Sequence, residues 1–350
     1  MAIRRLALSV SRHCGVQKIF RWWSRGPRVL FYHGVEEKIL DPALQSLHLP
    51  VAAFERQIAF LRSNREIVPI DYVHECLTSR RNLDPRCVAL TFDDGYKNNL
   101  RIVAPLLRAW KLPFTIFVST KHISEGHRFP GYYIGTAILF TKSKSVHLRS
   151  IGRSFRLATQ ADRLSARAAV VTAAKKAPQP LVKKIVAECK ELLSSANWAE
   201  LDATFYSEEA MNWEDVRQVH QMGATIGSHC HDHCILHSSQ QEDEVYRQLN
   251  ESKSRIENNV GVCSYIAYPN GKAEDVSSVA YRATRSTGFC AGFTSIPGEI
   301  NSTSDRFFAP RIFAVPDFEE FCYLLNQTRV QDRTLLMPVR GPDVTQEGTV

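Results

Sequence analysis

The stretch CVALTFDDGY, residues 87–96, joins an apolar run to two adjacent carboxylates, Asp93 and Asp94. A short apolar run of this kind predicts a buried strand of a parallel sheet. Parallel sheets of α/β proteins carry their active groups where the strands end, so the carboxylate pair is a candidate for chemistry. A tight turn in which Asp94 caps a helix would produce the same pattern. This stretch alone leaves both interpretations open.

Strand and helix patterns alternate on both sides of this stretch. Apolar runs predict strands over residues 28–33, 114–120, 224–229, 264–269 and 289–295. Helical spacing of apolar residues predicts helices over residues 51–64, 97–110, 208–223, 240–258 and 274–288. This α/β alternation favours a parallel sheet or a barrel with helices outside.

The segment of about 143–205 breaks that alternation, because it has few strand signals and is rich in helix-forming and basic residues. We expect it to be a helical insertion in a main domain that spans residues 28–330. The tail, residues 331–350, contains Pro, Gly, Asp and Thr, and we expect it to be flexible.

The composition of the 350-residue chain is average for a globular protein, with 44% hydrophobic and 23% charged residues. These values exclude a disordered, collagen-like or multi-spanning membrane protein. The net charge of +8 permits an anionic lipid or polymer as partner without requiring one. The charge is diffuse and no nucleic-acid-binding module is present, so we expect no nucleic-acid partner. Nine scattered cysteines exclude a small disulfide scaffold and indicate a reduced, cytoplasmic setting.

Residues 1–27 form a basic segment with interspersed apolar residues. Its apolar run at 6–10 is shorter than the core of a usual signal peptide and is followed by Arg12, which favours retention over secretion. One interpretation is an amphipathic helix, residues 1–25, that lies on the anionic inner face of a membrane. The alternatives are a helix packed on the body of the fold and a frayed terminus.

Four histidines lie close together in GSHCHDHCILH, residues 227–237. His229 and His233 are four residues apart, so one helical turn would place both on the same face. Two imidazoles and one carboxylate fill three positions of a tetrahedral zinc site and leave the fourth for water, as in catalytic sites. The alternatives are a closed Cys/His zinc site, a metal-free polar loop and the iron triad of an oxygenase. The oxygenase does not explain the second carboxylate, Asp93.

Two further predicted strands end in polar residues. One is followed by the turn Pro269-Asn270-Gly271, and the other, near the amino terminus, ends in His33. The position of His33 at a strand end matches that of the carboxylate pair. In isolation, a turn without a function is the favoured interpretation of residues 269–271, and a buried histidine satisfied by hydrogen bonds is that of His33.

Taken in order, these motifs resemble the polysaccharide deacetylases with a NodB-type domain, carbohydrate esterase family four. The specific combination is TFDDG followed, more than a hundred residues later, by His-x-x-x-His with a downstream Leu. The resemblance covers roughly residues 28–142 and 205–325. It implies a distorted (β/α) barrel with a divalent metal ion at the carboxyl ends of the strands. Zn²⁺ is the expected ion, with Co²⁺ and Ni²⁺ as alternatives.

The resemblance also implies a role for each residue of the motifs. Asp94, His229 and His233 would bind the metal ion. Asp93 would be the general base, and the backbone N–H of Asn270 would help to hold the oxyanion.

This sequence departs from the family pattern at two positions. Ala267 stands where the family commonly has an arginine that braces the catalytic aspartate, and Arg311 is the candidate replacement. The late Leu-x-His motif is also missing, since residues 312–326 contain no histidine. Tyr32-His33-Gly34 resembles a circularly rearranged subset with this histidine near the amino terminus, so His33 is the expected general acid.

The implied reaction removes N-acetyl groups from amino sugars of a polysaccharide, an oligosaccharide or a lipid-linked glycan. An N-acetylated glycan is thus the expected partner, with Tyr96, Tyr268 and Pro269 as the expected substrate contacts. The same site acting on an ester would make the protein an O-acetyl carbohydrate esterase. The departures at Ala267 and after residue 312 leave a catalytically impaired, glycan-binding protein as a further alternative.

Overall fold

The computed structural model of the chain describes residues 26–79 and 83–326. The predicted membrane contact through residues 1–25 and the predicted flexible tail, 331–350, lie outside the described residues. None of the described helices combines the length and the apolar character needed to cross a bilayer.

The described residues form twelve strands, most of them in one parallel sheet. Their bounds are β1 Arg28–Tyr32, β2 Gly34–Glu36, β3 His48–Pro50, β4 Glu66–Ile67, β5 Cys87–Phe92, β6 Phe114–Val118, β7 Ser145–Leu148, β8 Arg153–Arg156, β9 Ala224–Ser228, β10 Tyr265–Ala267, β11 Ala291–Phe293 and β12 Ile312–Phe313. The main sheet has the order β11-β10-β9-β6-β5-β1-β12, and β4 also pairs with β5. Buried side chains on these strands follow from the continuous apolar runs in the sequence.

The sheet curls until both of its edges meet one segment of chain, residues 309–313. On one side, Ala309 pairs in parallel with Phe293 at the end of β11. On the other, β12 pairs in parallel with β1, and the backbone N–H of Ala314 donates to the carbonyl of Phe31 at 3.0 Å. The predicted distorted (β/α) barrel is therefore confirmed, and this segment, the closing segment, completes it.

Twelve α-helices lie within the described part of the chain. Their bounds are α1 Val51–Asn64, α2 Ile70–Ser79, α3 Ala104–Ala109, α4 Thr120–Glu125, α5 Pro130–Phe140, α6 Gln160–Lys176, α7 Gln179–Lys190, α8 Ser195–Thr204, α9 Trp213–Gln221, α10 Glu242–Val260, α11 Ser278–Ser286 and α12 Phe318–Asn326. Helices α9 and α10 pack on β9, and α2 packs on β5. The helices thus cover the outside of the barrel, as the alternating sequence pattern predicts.

The helix predicted over residues 97–110 is divided in two. Its first part, Asn99–Val103, is a π-helical turn, and α3 begins at Ala104. Pro105 therefore lies in the first turn of α3, where its missing N–H breaks no intrahelical hydrogen bond.

Residues 143–205, the insertion, begin with a β-hairpin that the sequence analysis did not predict. Strands β7 and β8 pair antiparallel, and their alternate residues Val146, Leu148 and Phe155 are buried. These side chains join apolar residues of α5, α6 and α7 in a hydrophobic core separate from that of the barrel. Alternation over only four residues in each strand is too short a signal to stand out beside the long helical stretches that follow.

Candidate active site

A cavity of about 560 Å³ opens at the carboxyl ends of the barrel strands. This volume is within the usual range for a small-molecule site. The residues that immediately follow β1, β5 and β9, which are His33, Asp93 and His229, all line it. The other sequence-predicted residues in its lining are Asp94, Tyr96, His233, Tyr268, Asn270 and Arg311. The parallel strands thus bring residues from distant parts of the chain to one place.

Asp94, His229 and His233 form a cluster that fits a divalent metal ion. Oδ1 of Asp94 lies 3.4 Å from Nε2 of His229 and 3.2 Å from Nε2 of His233. This carboxylate oxygen is buried and has no hydrogen-bond partner of good geometry. A buried, unsatisfied carboxylate oxygen beside two imidazole nitrogens matches the donor set of a three-ligand zinc site with an open fourth position.

Local backbone geometry separates the two adjacent carboxylates. Asp94 has a φ of 75° and Gly95 a φ of 79°, both in the left-handed region. Asp is among the residues that adopt this region most readily, whereas a Cβ at Gly95 would lie 2.9 Å from Cγ1 of Val118. Asp94 therefore faces the histidines, while Asp93 faces the closing segment of the barrel.

A backbone carbonyl fixes the orientation of His229. Its Nδ1–H donates to the carbonyl of Ala267 at 2.7 Å, which leaves the Nε2 lone pair on the side of Asp94. Such a hydrogen bond to the second ring nitrogen is the usual way in which proteins orient a metal-binding histidine. Burial lowers the pKa of His229 to about 4, so the ring is neutral near pH 7, as a metal ligand must be.

The other polar residues of the histidine-rich segment stay outside this cluster. Nδ1 of His231 lies 2.8 Å from the hydroxyl of Thr120, and its Nε2 lies 3.2 Å from Glu251. Burial raises the pKa of the Cys230 thiol well above its ordinary value. Among the described residues, the groups with metal-ligand geometry do not include these side chains. The closed Cys/His zinc site that the sequence left open is therefore not formed.

Asp93 and Arg311 form a bidentate ion pair inside the barrel. Both guanidinium NH₂ groups donate to the carboxylate at 2.7 Å, and Nε of Arg311 donates to the carbonyl of Thr294 at 2.9 Å. Burial alone would raise the pKa of Asp93, but the charge and hydrogen bonds of Arg311, together with the nearby His229 and His33, outweigh burial and hold that pKa below its ordinary value. Asp93 is thus ionised and fixed in orientation.

His33 lies directly after β1, between two aromatic rings. Its ring centroid is 5.9 Å from those of Phe31 and Phe313. Nδ1 is buried and has no hydrogen-bond partner among the described residues. Burial lowers the pKa of His33, and the charges of Asp94 and Asp93 oppose that shift. Once protonated, such an imidazolium is a stronger acid than an exposed one.

Asn270 occupies a left-handed position, with a φ of 60°. Its side-chain oxygen accepts a hydrogen bond from Nζ of Lys175 at 2.7 Å, and its side-chain nitrogen donates to Asp275 at 2.5 Å. The hydroxyl of Ser295 donates to its backbone carbonyl at 2.6 Å. These contacts hold the turn after β10 rigidly at the edge of the cavity.

The three expected substrate contacts differ in their surroundings. Tyr96 lines the cavity, with its ring centroid 4.8 Å from that of His48. The ring of Tyr268 also lines the cavity, but its hydroxyl donates to the carbonyl of Phe307 at 2.9 Å and is not available to a substrate. Pro269 is buried and is not part of the cavity lining. Tyr268 can therefore offer a substrate its ring but not its hydroxyl, and only Pro269 differs from the expectation of direct substrate contact.

The insertion supplies cavity residues that the sequence analysis did not single out. Arg167, Val171, Ala174 and Lys175 of α6 all line the cavity. Their spacing of four, seven and eight residues from Arg167 places them on one helix face. This periodicity was visible in the sequence, but no local signal says that the face meets the barrel opening.

Comparison with known proteins identifies related sequences over part of the chain. A family model for polysaccharide deacetylases matches residues 80–153 and 163–289. The poly-beta-1,6-N-acetyl-D-glucosamine N-deacetylase of Escherichia coli (strain K12) is 32% identical over 93 residues, 26% of this chain and 14% of that protein. YxkH of Bacillus subtilis (strain 168) is 30% identical over 101 residues, 28% of this chain and 34% of that protein. The matched segments thus span about a third or less of these relatives.

Solved structures with the same fold cover most of the chain. IcaB from Ammonifex degensii superposes with a TM-score of 0.55 at 16% identity, covering 87% of this chain and 98% of that one. The Streptococcus pyogenes deacetylase PplD, in complex with acetate, gives a TM-score of 0.55 at 14% identity, covering 86% and 97% of the two chains. At these identities the likeness is one of fold alone.

Proposed function

Because the chain belongs to the polysaccharide deacetylase family, we propose that it is a metal-dependent hydrolase that removes N-acetyl groups from amino sugars of a glycan. The observation that carries the proposal is the placement of two adjacent carboxylates in different settings. Asp94 lies against two histidines, and Asp93 is ion-paired with Arg311. One carboxylate can thus hold a metal ion while the other accepts a proton.

Asp94, His229 and His233 are the residues that would hold the ion. When bound, it would supply Lewis-acid polarisation of the acetyl carbonyl and a water of lowered pKa. The donor set suits Zn²⁺, with Co²⁺ and Ni²⁺ as the other candidates.

Asp93 is the proposed general base. Its pKa is held below the ordinary value, so the carboxylate is ionised and can accept a proton as a water molecule attacks the acetyl carbon. Arg311 makes no such transfer; it keeps the carboxylate oxygens in one orientation through two hydrogen bonds. Arg311 is therefore a positioning residue.

His33 and Asn270 complete the proposed reaction. An amine leaves only after it gains a proton, and His33 would give that proton to the sugar nitrogen as the carbon–nitrogen bond breaks. The backbone N–H of Asn270 would donate a hydrogen bond to the acetyl oxygen as negative charge develops on it. The products are acetate, which contains the oxygen of the water, and the free amino sugar.

The test is acetate release by the full chain, first dialysed against a chelator and then supplied with Zn²⁺ or Co²⁺. N-acetylglucosamine oligomers with β-1,6 links are the first substrates to try, because one relative is named for that polymer. O-acetylated oligosaccharides are assayed beside them. We expect acetate from the N-acetyl substrates only when metal is restored. Release only from O-acetyl esters, or no release with any metal, would contradict the proposal.

A further inference from the structure

One wall of the cavity carries three cationic side chains that the proposed reaction does not use. Arg167 and Lys175 come from α6 of the insertion, and Lys272 lies two residues after Asn270. These three residues are called the cationic wall below. They line the same cavity as Asp93 and the Asp94 cluster, so a molecule that reaches the catalytic residues also meets these charges.

Arg167 is held in place but is not neutralised by an ion pair. Its Nε is buried and has no hydrogen-bond partner in the part of the chain that the structure describes. Its two acidic neighbours, Asp41 and Glu208, are engaged elsewhere. Glu208 pairs with His48 at 2.8 Å, and Asp41 accepts a hydrogen bond from the backbone N–H of Ala43 at 2.7 Å. The guanidinium thus retains unused donors beside the cavity.

Helix α5 leaves room for this guanidinium. A Cβ added at Gly135 would lie 3.1 Å from Nε of Arg167 and 2.7 Å from Cδ2 of Leu44. Because Gly135 has no side chain, the guanidinium of Arg167 can pack directly against α5. Close packing of this kind limits the conformations of a long side chain before any ligand binds.

The three cations also repel one another. Partial burial and the charge of Lys272 lower the pKa of Lys175, with a smaller lowering from Arg167, and the charges of Asp275 and Asp94 oppose that shift. The side chain of Lys175 donates to a neutral amide oxygen of Asn270, not to a carboxylate. Like charges gathered in this way are unfavourable by themselves and are relieved by a bound anion.

The insertion is one of two strongly basic parts of the sequence. Residues 143–205 contain eleven Lys and Arg against five Asp and Glu, a net charge of +6, and residues 1–27 contain six Lys and Arg and no Asp or Glu. Many of the insertion's cations are paired within the protein, as in Arg149–Glu188, Arg156–Asp162 and Lys183–Asp232. Arg167 differs from them because it lies on the cavity side and its buried Nε has no hydrogen-bond partner among residues 26–79 and 83–326.

We propose that the substrate is a phosphorylated N-acetyl sugar. Its phosphate is bound by Arg167, Lys175 and Lys272, while its acetamido group lies at Asp93 and the Asp94 cluster. That the sugar carries an N-acetyl group rests on the proposed function. A guanidinium fork and two ammonium groups match the several oxygens and the double charge of a phosphate. A single carboxylate, as in a uronic acid, would leave much of that positive charge uncompensated.

The test is binding of three soluble sugars to the chelator-treated, metal-free protein, measured by calorimetry. Metal-free protein is used because phosphate would otherwise bind the ion directly. The probes are N-acetylglucosamine 1-phosphate, N-acetylglucosamine and glucuronic acid. We expect the phosphate to bind at least about tenfold more tightly than either other sugar, the usual gain from one charge-assisted hydrogen bond. Equal affinity for the phosphate and the neutral sugar, or for the phosphate and glucuronic acid, would overturn the proposal.

Two variants and a control variant test whether the cationic wall is responsible for the affinity for the sugar phosphate. Arg167→Gln and Lys175→Gln should each weaken phosphate binding about tenfold, with little change for the neutral sugar. Lys176→Gln removes the exposed neighbouring charge, which is not part of the cavity lining, and should bind like the wild type. If all three variants bind the phosphate equally well, the assignment is wrong. The side chain of Lys175 is more exposed than that of Arg167, so its variant tests the site even if Arg167→Gln folds poorly.

This inference and the proposed function fail separately. Acetate release by the metal-loaded protein tests the function without reference to phosphate. Phosphate binding that depends on Arg167, with no acetate release from any N-acetyl sugar, would overturn the proposed function alone. Acetate release from neutral oligomers, with no phosphate binding to the metal-free protein, would overturn the phosphorylated substrate alone.

Discussion

The barrel and the insertion each place an arginine in the cavity lining, and the two arginines differ in how their guanidinium groups are hydrogen-bonded. In the barrel, Arg311 donates to Asp93 through both NH₂ groups and to Thr294 through Nε. In the insertion, Arg167 faces the same cavity with a buried Nε that has no hydrogen-bond partner among the described residues. A saturated arginine fixes the group it touches, whereas an unsaturated one is available to a ligand. We therefore propose that the barrel carries out the chemistry and that the insertion selects the substrate.

The difference also follows from how each region is built. The barrel residues lie at the ends of hydrogen-bonded parallel strands, where backbone pairing fixes their positions. The insertion shares a separate hydrophobic core with α5, the helix that precedes it, and α6, α7 and the β7–β8 hairpin form the rest of that core. Residues on the cavity side of a separately packed unit can be replaced without disturbing Asp94, His229 and His233. Substitutions in the two regions should therefore have different consequences.

The largest effect is expected from removing a metal ligand. His229→Ala should lower metal affinity by more than about 100-fold, since even residues that only orient a ligand are worth 10- to 100-fold. Acetate release should fall to background. Metal content after gel filtration and acetate release are the two measurements. His231→Ala is the matched control, because His231 lies in the same segment but contacts Thr120 and Glu251. Equal metal loss in both variants would show that the cluster is assigned to the wrong histidine.

Replacing the positioning arginine should have a smaller effect on turnover. Arg311→Lys keeps the charge but loses the fork that grips both oxygens of Asp93, so we expect kcat to fall about 10- to 100-fold. KM and metal content should change little. Arg28→Lys is the control, since Arg28 is equally buried but pairs with Glu299 at the amino end of β1. A similar loss of kcat in both variants would indicate general damage to the barrel.

The smallest catalytic effect is expected from loosening the insertion. Ile185 is fully buried in the insertion core, so Ile185→Ala should destabilise that unit by about 2–5 kcal/mol. We expect a higher KM, unchanged metal content and little change in kcat. Ile226→Ala removes the same side chain from β9, the strand that precedes His229, and should weaken metal retention as well. Metal loss of the same size in Ile185→Ala would contradict the separation of the two regions.

Much of the barrel could be predicted from the sequence because buried parallel strands produce continuous apolar runs. The run at residues 87–92 is followed directly by the two carboxylates, so their position at a strand end followed from the pattern alone. The pairing of Asp93 with Arg311 did not, because more than two hundred residues separate them. Their meeting depends on the closing segment, which is too short to give a strand signal.

The insertion shows where sequence reasoning ends. The helix-forming and basic composition of residues 143–205 was sufficient to predict a helical insertion, and in α6 the spacing of Arg167 and Lys175 places them on one face. Which surface that face meets is decided by tertiary packing against α5 and α7. The hairpin was missed because its buried positions alternate over only four residues in each strand.

The central claim, that adjacent carboxylates divide metal binding and proton transfer between them, is tested most directly by Asp93→Asn. Metal content and acetate release are measured on the same preparation, with Asp94→Asn beside it. We expect Asp93→Asn to retain its metal ion while turnover falls about 10²- to 10⁴-fold, the usual contribution of a general base, and Asp94→Asn to lose the ion. Wild-type turnover in Asp93→Asn, or metal retained in full by Asp94→Asn, would contradict the account.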